Sequence, residues 1–527
     1  MIASLRATHL TPVSAILVVL LVFVISLGLR LDMFKEYSAA PGVEATYHLL
    51  WTAKALAESD ASAHFYLPTV TLVPETGNPI TWGATVPTRG GAYVYTSFPP
   101  LGFLVPAAAL QAIDSSSFLA LGFMNSLVGL TAALALAGLA RAMVLQIATV
   151  DEDRGPEAFR RKGWIVFLLC AVSYLLLKEV LVSHGPTVWP HSLSQIALIA
   201  GCWLALRIFT RRASVGTTLG VVLVALLYPS LEWTGYVFNA GLALALIYDG
   251  LRRQGGKLAL GAAVGVVLAT LAAGALLLVH FSIAVGMEPL MEALGRRAAA
   301  RGFNELALLG LPVSYFASFG ALLPIGVLGL WWILSASREQ VPAAFWLLLF
   351  TATFPMLENV VMMQHAYQFS FDRLKLAVPL FLVCAIVLWQ ARLPERNPMV
   401  VVGLIAAVVW SNVQTFGHDV VYYKSWGRIH AANTRLSDQL AQTSHENCVL
   451  FGTNGAVRGY MNLTFGRDIF ERTTPEELLR RNMELAQRGC NLVFVQTVPS
   501  PFSDLPEFAV ISVYDANGAQ LRRYEAY

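Results

Sequence analysis

The stretch Phe98-Pro-Pro-Leu-Gly-Phe-Leu-Val-Pro-Ala-Ala-Ala-Leu-Gln-Ala-Ile113 decides how the rest of the chain is arranged. It is apolar, but it is shorter than the about 20 residues that a membrane-spanning helix needs. If it crossed a bilayer, every later loop would lie on the opposite side. The topology of the whole chain therefore depends on this one stretch.

The composition indicates the class of protein. The chain has 527 residues, of which 56% are apolar and 13% are charged, and its mean hydropathy is +0.60. A soluble domain has about 45–50% apolar and about 25% charged residues. These values exclude a disordered chain, a nucleic-acid-binding protein built on a basic patch, and an ordinary cytosolic enzyme. They predict a mainly α-helical, polytopic membrane protein.

Eleven apolar runs predict membrane-spanning helices. They are residues 12–30, 117–143, 164–182, 192–209, 215–230, 233–249, 258–284, 312–334, 343–357, 376–391 and 399–416. The first run has no clear small-residue cleavage site, so we expect it to remain as an uncleaved first helix.

The distribution of basic residues predicts the orientation, because cytoplasmic loops are enriched in Lys and Arg. We first assume a cytoplasmic N-terminus and a non-spanning 98–113. Fifteen basic residues then fall in short inside segments, and nine are spread over longer outside loops before residue 417. A spanning 98–113 would turn the basic clusters outward. We therefore expect 98–113 to lie at the outer interface of a bacterial inner (plasma) membrane, with the C-terminus outside.

The predicted outer face is much larger than the inner face. Residues 1–416 form the membrane domain, with a long first outer loop at 31–116 and shorter outer loops at 285–311 and 358–375. Residues 417–527 have an ordinary soluble composition, and their strand and helix signals predict a small extracytoplasmic α/β domain. Its expected elements are helices at 433–442 and 475–487, strands at 448–451 and 491–496, and a hairpin around 515–518.

The first outer loop carries the most specific pattern. It contains Pro41-Gly-Val-Glu44-Ala-Thr-Tyr-His-Leu-Leu-Trp51, in which the residues after Glu44 have a helical period. Glu44 stands at the predicted helix start, where the backbone dipole favours an anion. Further on, Tyr93-Val-Tyr-Thr-Ser-Phe-Pro-Pro-Leu101 leads into the apolar stretch 98–113.

These segments and the arrangement of spans resemble the GT-C superfamily of membrane glycosyltransferases, which includes protein mannosyltransferases and lipid A aminoarabinose transferases. The resemblance implies a polyprenyl-phosphate-linked sugar as donor, an extracytoplasmic glycan, lipid or protein as acceptor, and transfer with inversion. The chain departs from the family at two places. Val43 stands where an Asp often precedes the Glu, and residues 183–191 contain two histidines instead of a second acid.

Glu44 is the predicted catalytic carboxylate. The donor phosphate is already a good leaving group, so the enzyme has to take a proton from the acceptor hydroxyl and hold that hydroxyl in line. A carboxylate that is partly removed from water has a raised pKa and suits the role of a base. The alternative is an ordinary helix-start charge that the dipole stabilises.

Basic residues of the outer loops are the predicted partners of the donor phosphate: Arg296, Arg297, Arg301, Arg373 and Lys375. Arg297 and Arg301 are one helical turn apart on one face, and Arg can bind phosphate bidentately. For 296–301 the alternative is an interfacial helix attracted to lipid headgroups. For Arg373 and Lys375 it is routine anchoring at a helix end.

Other polar residues near the outer ends of the spans are candidates for substrate binding: Tyr47, His48, Tyr95, His184, His191, Glu232, His365 and Asp372. His365 and Asp372 are expected to orient Arg373 and Lys375. Two histidines together with Glu44 could bind a divalent ion, but lone histidines are more often structural. We therefore predict no metal and no cofactor.

Two other functions stay open at this point. One is a transporter or flippase of a lipid-linked substrate, and the other is a non-catalytic assembly or sensor protein. Transporters often have internal repeats and broken helices at the midplane. This sequence has no visible repeat, and its polar residues gather at the outer interface. The pattern favours an enzyme whose partners are the lipid bilayer, the lipid-linked donor and the acceptor, without nucleic acid.

Overall fold

The structure is a computed structural model of the chain. It describes residues 11–34, 43–58, 61–70, 85–115, 117–147, 155–252, 256–303, 305–335, 341–391, 397–443, 450–452, 469–470, 492–499, 507–514 and 520–526.

Helices are the main element of the described residues. In chain order they are α1 (Pro12–Arg30), α2 (Val43–Glu58), α3 (Leu101–Ala112), α4 (Phe118–Ile147), α5 (Gly155–Leu175), α6 (Lys178–Ser183), α7 (His191–Phe209), α8 (Val215–Leu231), α9 (Thr234–Arg252), α10 (Lys257–Val285), α11 (Met287–Arg301), α12 (Glu305–Phe319), α13 (Leu322–Ser335), α14 (Ala343–Thr353), α15 (Leu357–Val361), α16 (Met363–Gln368), α17 (Ala377–Gln390) and α18 (Pro398–Thr443). Short 3-10 segments cover Leu31–Phe34, Ala61–His64, Phe354–Met356 and Ser370–Leu376.

Local sequence signals explain where some of these helices begin. At α1, the Thr11 hydroxyl accepts a hydrogen bond from Ser14 N at 3.1 Å, and Pro12 occupies the first helical position. At α8, the Ser214 hydroxyl accepts one from Thr217 N at 3.3 Å. Such capping residues satisfy amide groups that the first turn of a helix leaves without partners.

Six of the described helices are long and apolar enough to cross a membrane, and a seventh is added if α12 and α13 form one bent span. The six spans are Pro12–Phe34, Phe118–Gln146, His191–Phe209, Lys257–Val285, Ala343–Val361 and Met399–Val421. The protein is therefore a mainly α-helical polytopic membrane protein. α3 has 12 residues, so it is about 18 Å long against a hydrocarbon core of about 30 Å. This length agrees with the prediction that 98–113 does not span.

Two predicted runs are not single helices. Residues 312–334 contain a break, where α12 and α13 meet at an angle of 101°. Residues 164–182 cover the end of α5 and most of α6, which are separate helices. Both predictions of one continuous helix were wrong, because hydropathy averages over the few residues at which a helix turns.

The last span, α18, explains how the break after α12 is tolerated. Gly320 at the break has φ +52°, which favours glycine. Across the break, Ala321 N donates to the Ser411 hydroxyl at 3.0 Å, and the Asn412 amide donates to Phe319 O at 3.0 Å. Backbone groups at membrane depth need partners of this kind because no water is available.

α18 also connects the membrane domain to the C-terminal part. Its 46 residues give a length of about 69 Å, roughly twice the thickness of the hydrocarbon core. The predicted span 399–416 and the predicted helix 433–442 are parts of this one helix. The predicted domain boundary at 416/417 lies inside it.

The C-terminal strands form a five-stranded mixed sheet. The chain first forms a small antiparallel pair, β1 (Thr85–Pro87) and β2 (Tyr93–Tyr95), in the outer loop. The larger sheet contains β3 (Leu450–Gly452), β4 (Ile469–Phe470), β5 (Leu492–Pro499), β6 (Glu507–Tyr514) and β7 (Gln520–Ala526) in the order β4-β3-β5-β6-β7. β3 is parallel to β4 and β5, whereas β5, β6 and β7 are antiparallel. β3 and β5 overlap the strands predicted at 448–451 and 491–496, and β6 and β7 pair in an antiparallel manner on either side of 515–518. The helix predicted at 475–487 lies outside the described residues.

Candidate active site

The site lies at one end of the helical bundle, where several chain reversals meet. α7 begins there, α8 ends and α9 begins there, and α15, α16 and the 3-10 segment Ser370–Leu376 follow one another there. In the predicted topology this is the outer end. These segments contribute buried polar side chains from distant parts of the chain: His191, Glu232, Thr234, Glu358, His365, Asp372, Arg373 and Lys375.

Asp372 is the centre of this cluster. Its Oδ1 contacts Nε2 of His191, and its Oδ2 is hydrogen-bonded to Nδ1 of His365. Burial alone would raise the pKa of Asp372, but the two imidazoles hold it well below its usual range. Asp372 is therefore ionised, and its carboxylate orients both imidazole rings.

Lys375 forms a buried ion pair beside this group. Its Nζ lies 2.6 Å from Oε2 of Glu358 and donates to the Thr234 hydroxyl at 3.2 Å. The Thr234 hydroxyl in turn donates to the same carboxylate. Burial lowers the pKa of Lys375, but Glu358 and the other nearby carboxylates raise it above its usual value. Lys375 therefore keeps its charge inside the protein, beside the Glu358 carboxylate.

Glu232 directly follows the last residue of α8. Its Oε2 accepts a hydrogen bond from Thr234 N at 3.1 Å, and its Oε1 lies 3.9 Å from Nε2 of His191. A small cavity beside it is lined by polar groups that include Gln195 and Tyr228, with room for about one water molecule. Burial, and then the nearby Glu358, raise the pKa of Glu232 to about 7.

The guanidinium of Arg373 is held by other groups of the protein. Its Nε donates to the Ser318 hydroxyl at 2.7 Å, and its Nη1 donates to the carbonyl oxygens of Ala366 and Tyr367 at 2.7 and 3.1 Å. Its Nη2 lies 3.4 Å from Oε1 of Glu179. Arg373 thus ties the 3-10 segment to α6 and α12.

Arg301, the last residue of α11, has a different environment. It is 4% exposed, and its guanidinium lies over the Phe98 ring at 5.2 Å. Its Nε and Nη2 are buried and have no hydrogen-bond partner among the residues that the structure describes. Burial lowers the pKa of Arg301, whereas Tyr95, Asp372 and Glu358 oppose this shift. A buried cation without such bonds is costly, and the N–H groups on these two nitrogens suit the oxygens of a phosphate.

The other two arginines of α11 are less enclosed. Arg296 is exposed and forms an ion pair with Glu292 one turn earlier. Arg297 is half-buried, and within the described part of the chain its Nε has no hydrogen-bond partner. Of the three predicted arginines, Arg301 is therefore the one that the fold buries at the site.

Tyr47, His48 and Tyr95 belong to an aromatic layer that supports the cluster. The rings of His48 and Tyr95 are 4.4 Å apart, and His48 lies 5.4 Å from Trp189. Trp189 in turn lies 6.3 Å from Phe371, whose ring is 4.7 Å from that of His191. Tyr47 packs against Phe118. Through these contacts, the three predicted substrate-binding residues belong to an aromatic layer that packs between helices α2 and α3 on one side and the polar cluster on the other.

His184 and Glu44 complete the predicted set. The His184 ring is hydrogen-bonded to the Tyr174 hydroxyl at 3.1 Å, and its carbonyl accepts from Arg30 at 2.6 Å. The Glu44 side chain lies outside the described residues. Its helix, α2, is anchored by the Thr46 hydroxyl, which donates to Pro186 O at 2.7 Å and accepts from Val188 N at 2.9 Å. α2 therefore begins beside the turn that precedes α7.

Sequence reasoning did not assign a role to Glu358 or Thr234. Glu358 directly follows an apolar run, and an acid in such a position is by default a functional candidate. That signal could have identified it. Thr234 carries no comparable signal, because its partners lie far away in the sequence.

Among the side chains that the structure describes, no group of three or more His, Cys, Asp or Glu residues is arranged to hold a metal ion.

Comparisons with known proteins address the fold. No protein-family model matches the sequence, and no curated protein matches it. The structure is similar to ArnT from Cupriavidus metallidurans bound to undecaprenyl phosphate, with a TM-score of 0.56 and 13% identity over 95% of this chain and 97% of that chain. The chain has the GT-C fold.

Two archaeal structures support the same conclusion. The apo oligosaccharyltransferase from Archaeoglobus fulgidus has a TM-score of 0.53 and 13% identity over 92% of this chain and 69% of that chain. AglB from the same organism, in complex with an inhibitory peptide and a dolichol-phosphate, has a TM-score of 0.51 and 12% identity. The match covers 91% of this chain and 69% of that chain. The predicted GT-C architecture is therefore confirmed.

Proposed function

We propose that this protein is a membrane glycosyltransferase that moves a sugar from a polyprenyl-phosphate donor to an extracytoplasmic glycan, lipid or protein, with inversion. The observation that carries the proposal is Arg301, a buried guanidinium beside the acidic and imidazole cluster, with two nitrogens that have no hydrogen-bond partner among the described residues. The GT-C fold supports it, since ArnT and AglB of that fold were solved with undecaprenyl phosphate and a dolichol-phosphate.

In this proposal Arg301 holds the phosphate of the donor. The phosphate carries one negative charge while the sugar is attached and gains a second when the bond to the sugar breaks. A fixed guanidinium in a site shielded from water stabilises that added charge in the transition state. Arg373 and Lys375, which the sequence also links to the phosphate, are engaged with Glu179 and Glu358. Their direct contact with the donor stays a prediction.

The acceptor is activated near the start of α2, where the sequence predicts Glu44 as the catalytic carboxylate. The acceptor oxygen attacks the anomeric carbon from the side opposite the phosphate, which inverts the configuration. The anchoring of α2 against residues 186–188, just before His191, supports this arrangement.

We further propose the membrane topology predicted from the basic residues. It has eleven crossings, a cytoplasmic N-terminus and an extracytoplasmic domain at 417–527, in a bacterial inner membrane. The short length of α3 supports this proposal, because a spanning 98–113 would reverse the later loops. Transfer assays with hexosyl and pentosyl undecaprenyl phosphates distinguish which of the two kinds of sugar is transferred.

The test compares Arg301→Ala with wild type in detergent-purified protein. We expect binding of undecaprenyl phosphate to weaken strongly, and transfer from radiolabelled glycosyl undecaprenyl phosphates to fall by roughly 10²–10³-fold, the usual effect of losing one transition-state donor. Arg207→Ala is the control, because Arg207 is exposed near the opposite end of α7.

Unchanged lipid affinity and unchanged transfer in Arg301→Ala would refute the assignment of Arg301. A wild-type protein that moves the donor across vesicles without transferring its sugar would favour the flippase alternative.

A further inference from the structure

The segment 183–187, between α6 and α7, is a buried stretch of mostly non-helical backbone. Such backbone needs hydrogen-bond partners when water is excluded, and each of its five carbonyl oxygens accepts a bond from a side chain. The bonds run from Asn125 to Ser183, Gly185 and Thr187 at 3.0, 3.0 and 3.1 Å, from Arg30 to His184 at 2.6 Å, from Thr46 to Pro186 at 2.7 Å, and from Ser192 to Ser183 at 2.7 Å. Side chains of α1, α2, α4 and α7 therefore meet at this one segment.

Close packing also holds the 183–187 segment in one conformation. A Cβ atom at Gly185 would lie 2.3 Å from Leu181 O and 2.9 Å from Cδ of Arg30, so a side chain does not fit there. All residues from 181 to 190 are buried. The segment therefore acts as a rigid support for the helices that bind to it.

Thr46 is the residue that bonds α2 to this support. It is fully buried, and its hydroxyl accepts a hydrogen bond from Val188 N at 2.9 Å as well as donating to Pro186 O. Glu44, the predicted catalytic carboxylate, precedes Thr46 by two residues in the first turn of α2, which is about 3 Å along the helix axis. The two bonds of Thr46 thus fix the part of α2 that carries Glu44.

α2 is joined to the proposed phosphate site through aromatic rings. The Arg301 guanidinium lies over Phe98 at 5.2 Å, Phe98 lies 5.1 Å from Trp189, and Trp189 lies 5.4 Å from His48 of α2. In this series of contacts, two rings separate α2 from the guanidinium. A separation of this kind suits an inverting transfer, because the group that activates the acceptor and the leaving phosphate lie on opposite sides of the anomeric carbon.

We propose that Thr46 is a positioning residue of the transfer reaction, which holds Glu44 in line with the acceptor by bonding α2 to the 183–187 segment. This inference rests on the proposed function. The acceptor oxygen forms a bond to the anomeric carbon and gives its proton to Glu44, while the bond from that carbon to the phosphate oxygen breaks and the phosphate keeps the electron pair. A misplacement of about 1 Å can lower the rate of such a step by about 10²-fold.

The test replaces Thr46 by valine, which has nearly the same shape but makes no side-chain hydrogen bond. We expect kcat of the purified full-length protein to fall by about 10²-fold, while binding of undecaprenyl phosphate stays near wild type because Arg301 keeps its surroundings. Thr46→Ser keeps the hydroxyl and should restore most of the rate. Thr351→Val is the control, because Thr351 is equally buried but bonds to Leu347 O of its own helix.

A double-mutant comparison separates positioning from a general structural effect. Residues that act as a unit have non-additive effects on rate. Thr46→Val should therefore leave the residual rate of a Glu44→Gln variant nearly unchanged. If Thr46 had only a structural role, valine would lower the rate by the same factor in both backgrounds.

The outcomes distinguish this inference from the proposed function. A wild-type kcat in Thr46→Val, an equal fall in both backgrounds, or wild-type transfer in Glu44→Gln would overturn the inference alone. If the valine variant does not fold, Thr46→Cys takes its place, because it keeps a weak donor. Its partial loss of rate must disappear in the Glu44→Gln background. Absence of transfer in the wild type would overturn the proposed function, and the inference with it.

Discussion

The buried pair of Glu358 and Lys375 gives a quantitative prediction about stability. Their charged atoms are 2.6 Å apart, and the side chains are 10% and 5% exposed. Removing one partner leaves the other as an uncompensated buried charge, which costs about 3–5 kcal/mol. We therefore expect Glu358→Gln and Lys375→Met each to lower the melting temperature by about 6–10 °C, at about 2 °C per kcal/mol. The double variant should recover most of this loss.

The assay is a double-mutant cycle followed by tryptophan fluorescence during heating in detergent. The matched control is the pair of Glu292 and Arg296, which are 66% and 55% exposed. An exposed pair of this kind contributes about 0–1 kcal/mol. A coupling energy for Glu358 and Lys375 no larger than that of the control would refute the reasoning. It would mean that the pair is hydrated or that its charges are neutralised in another way.

Two further predictions concern Glu232 and Asn412. Between its ordinary pKa of 4.5 and the raised value of about 7, folded Glu232 keeps a proton that the unfolded chain loses. Stability should thus fall by roughly 3 kcal/mol as the pH rises through this window, and Glu232→Gln should abolish that fall in melting temperature. Asn412→Ala removes partners from Phe319 O and Lys178 N and should cost about 1–3 kcal/mol. Thr415→Ala, whose described hydrogen bond lies within its own helix, should melt close to wild type.

Much of the architecture could be predicted because membrane helices are read from long apolar runs. Charged residues are scarce in this chain, so those in the predicted outer loops indicate candidate site residues. Asp372, His365, Lys375 and Glu232 were selected in this way, and the fold brings all four into one cluster. They lie together because a buried ionisable group has to find partners.

The pairing of these groups could not be predicted. Lys375 meets Glu358 and Thr234, and Arg373 meets Glu179, through contacts that span up to 194 residues of sequence. Arg301 and Arg296 share a helix, yet the first is buried and the second exposed. That difference depends on how α11 is rotated against its neighbours. The break at Gly320 depends equally on Ser411 and Asn412, which a single apolar run cannot reveal.

The central claim is that the protein breaks the bond between a sugar and a polyprenyl phosphate. The most direct measurement incubates the purified wild-type protein with glycosyl undecaprenyl phosphates labelled in the sugar, together with membranes of the source cells, and separates the products. The account predicts that label moves to the extracytoplasmic acceptor while undecaprenyl phosphate appears in equal amount. Donor that stays intact, or that only changes its side of the bilayer, would contradict it.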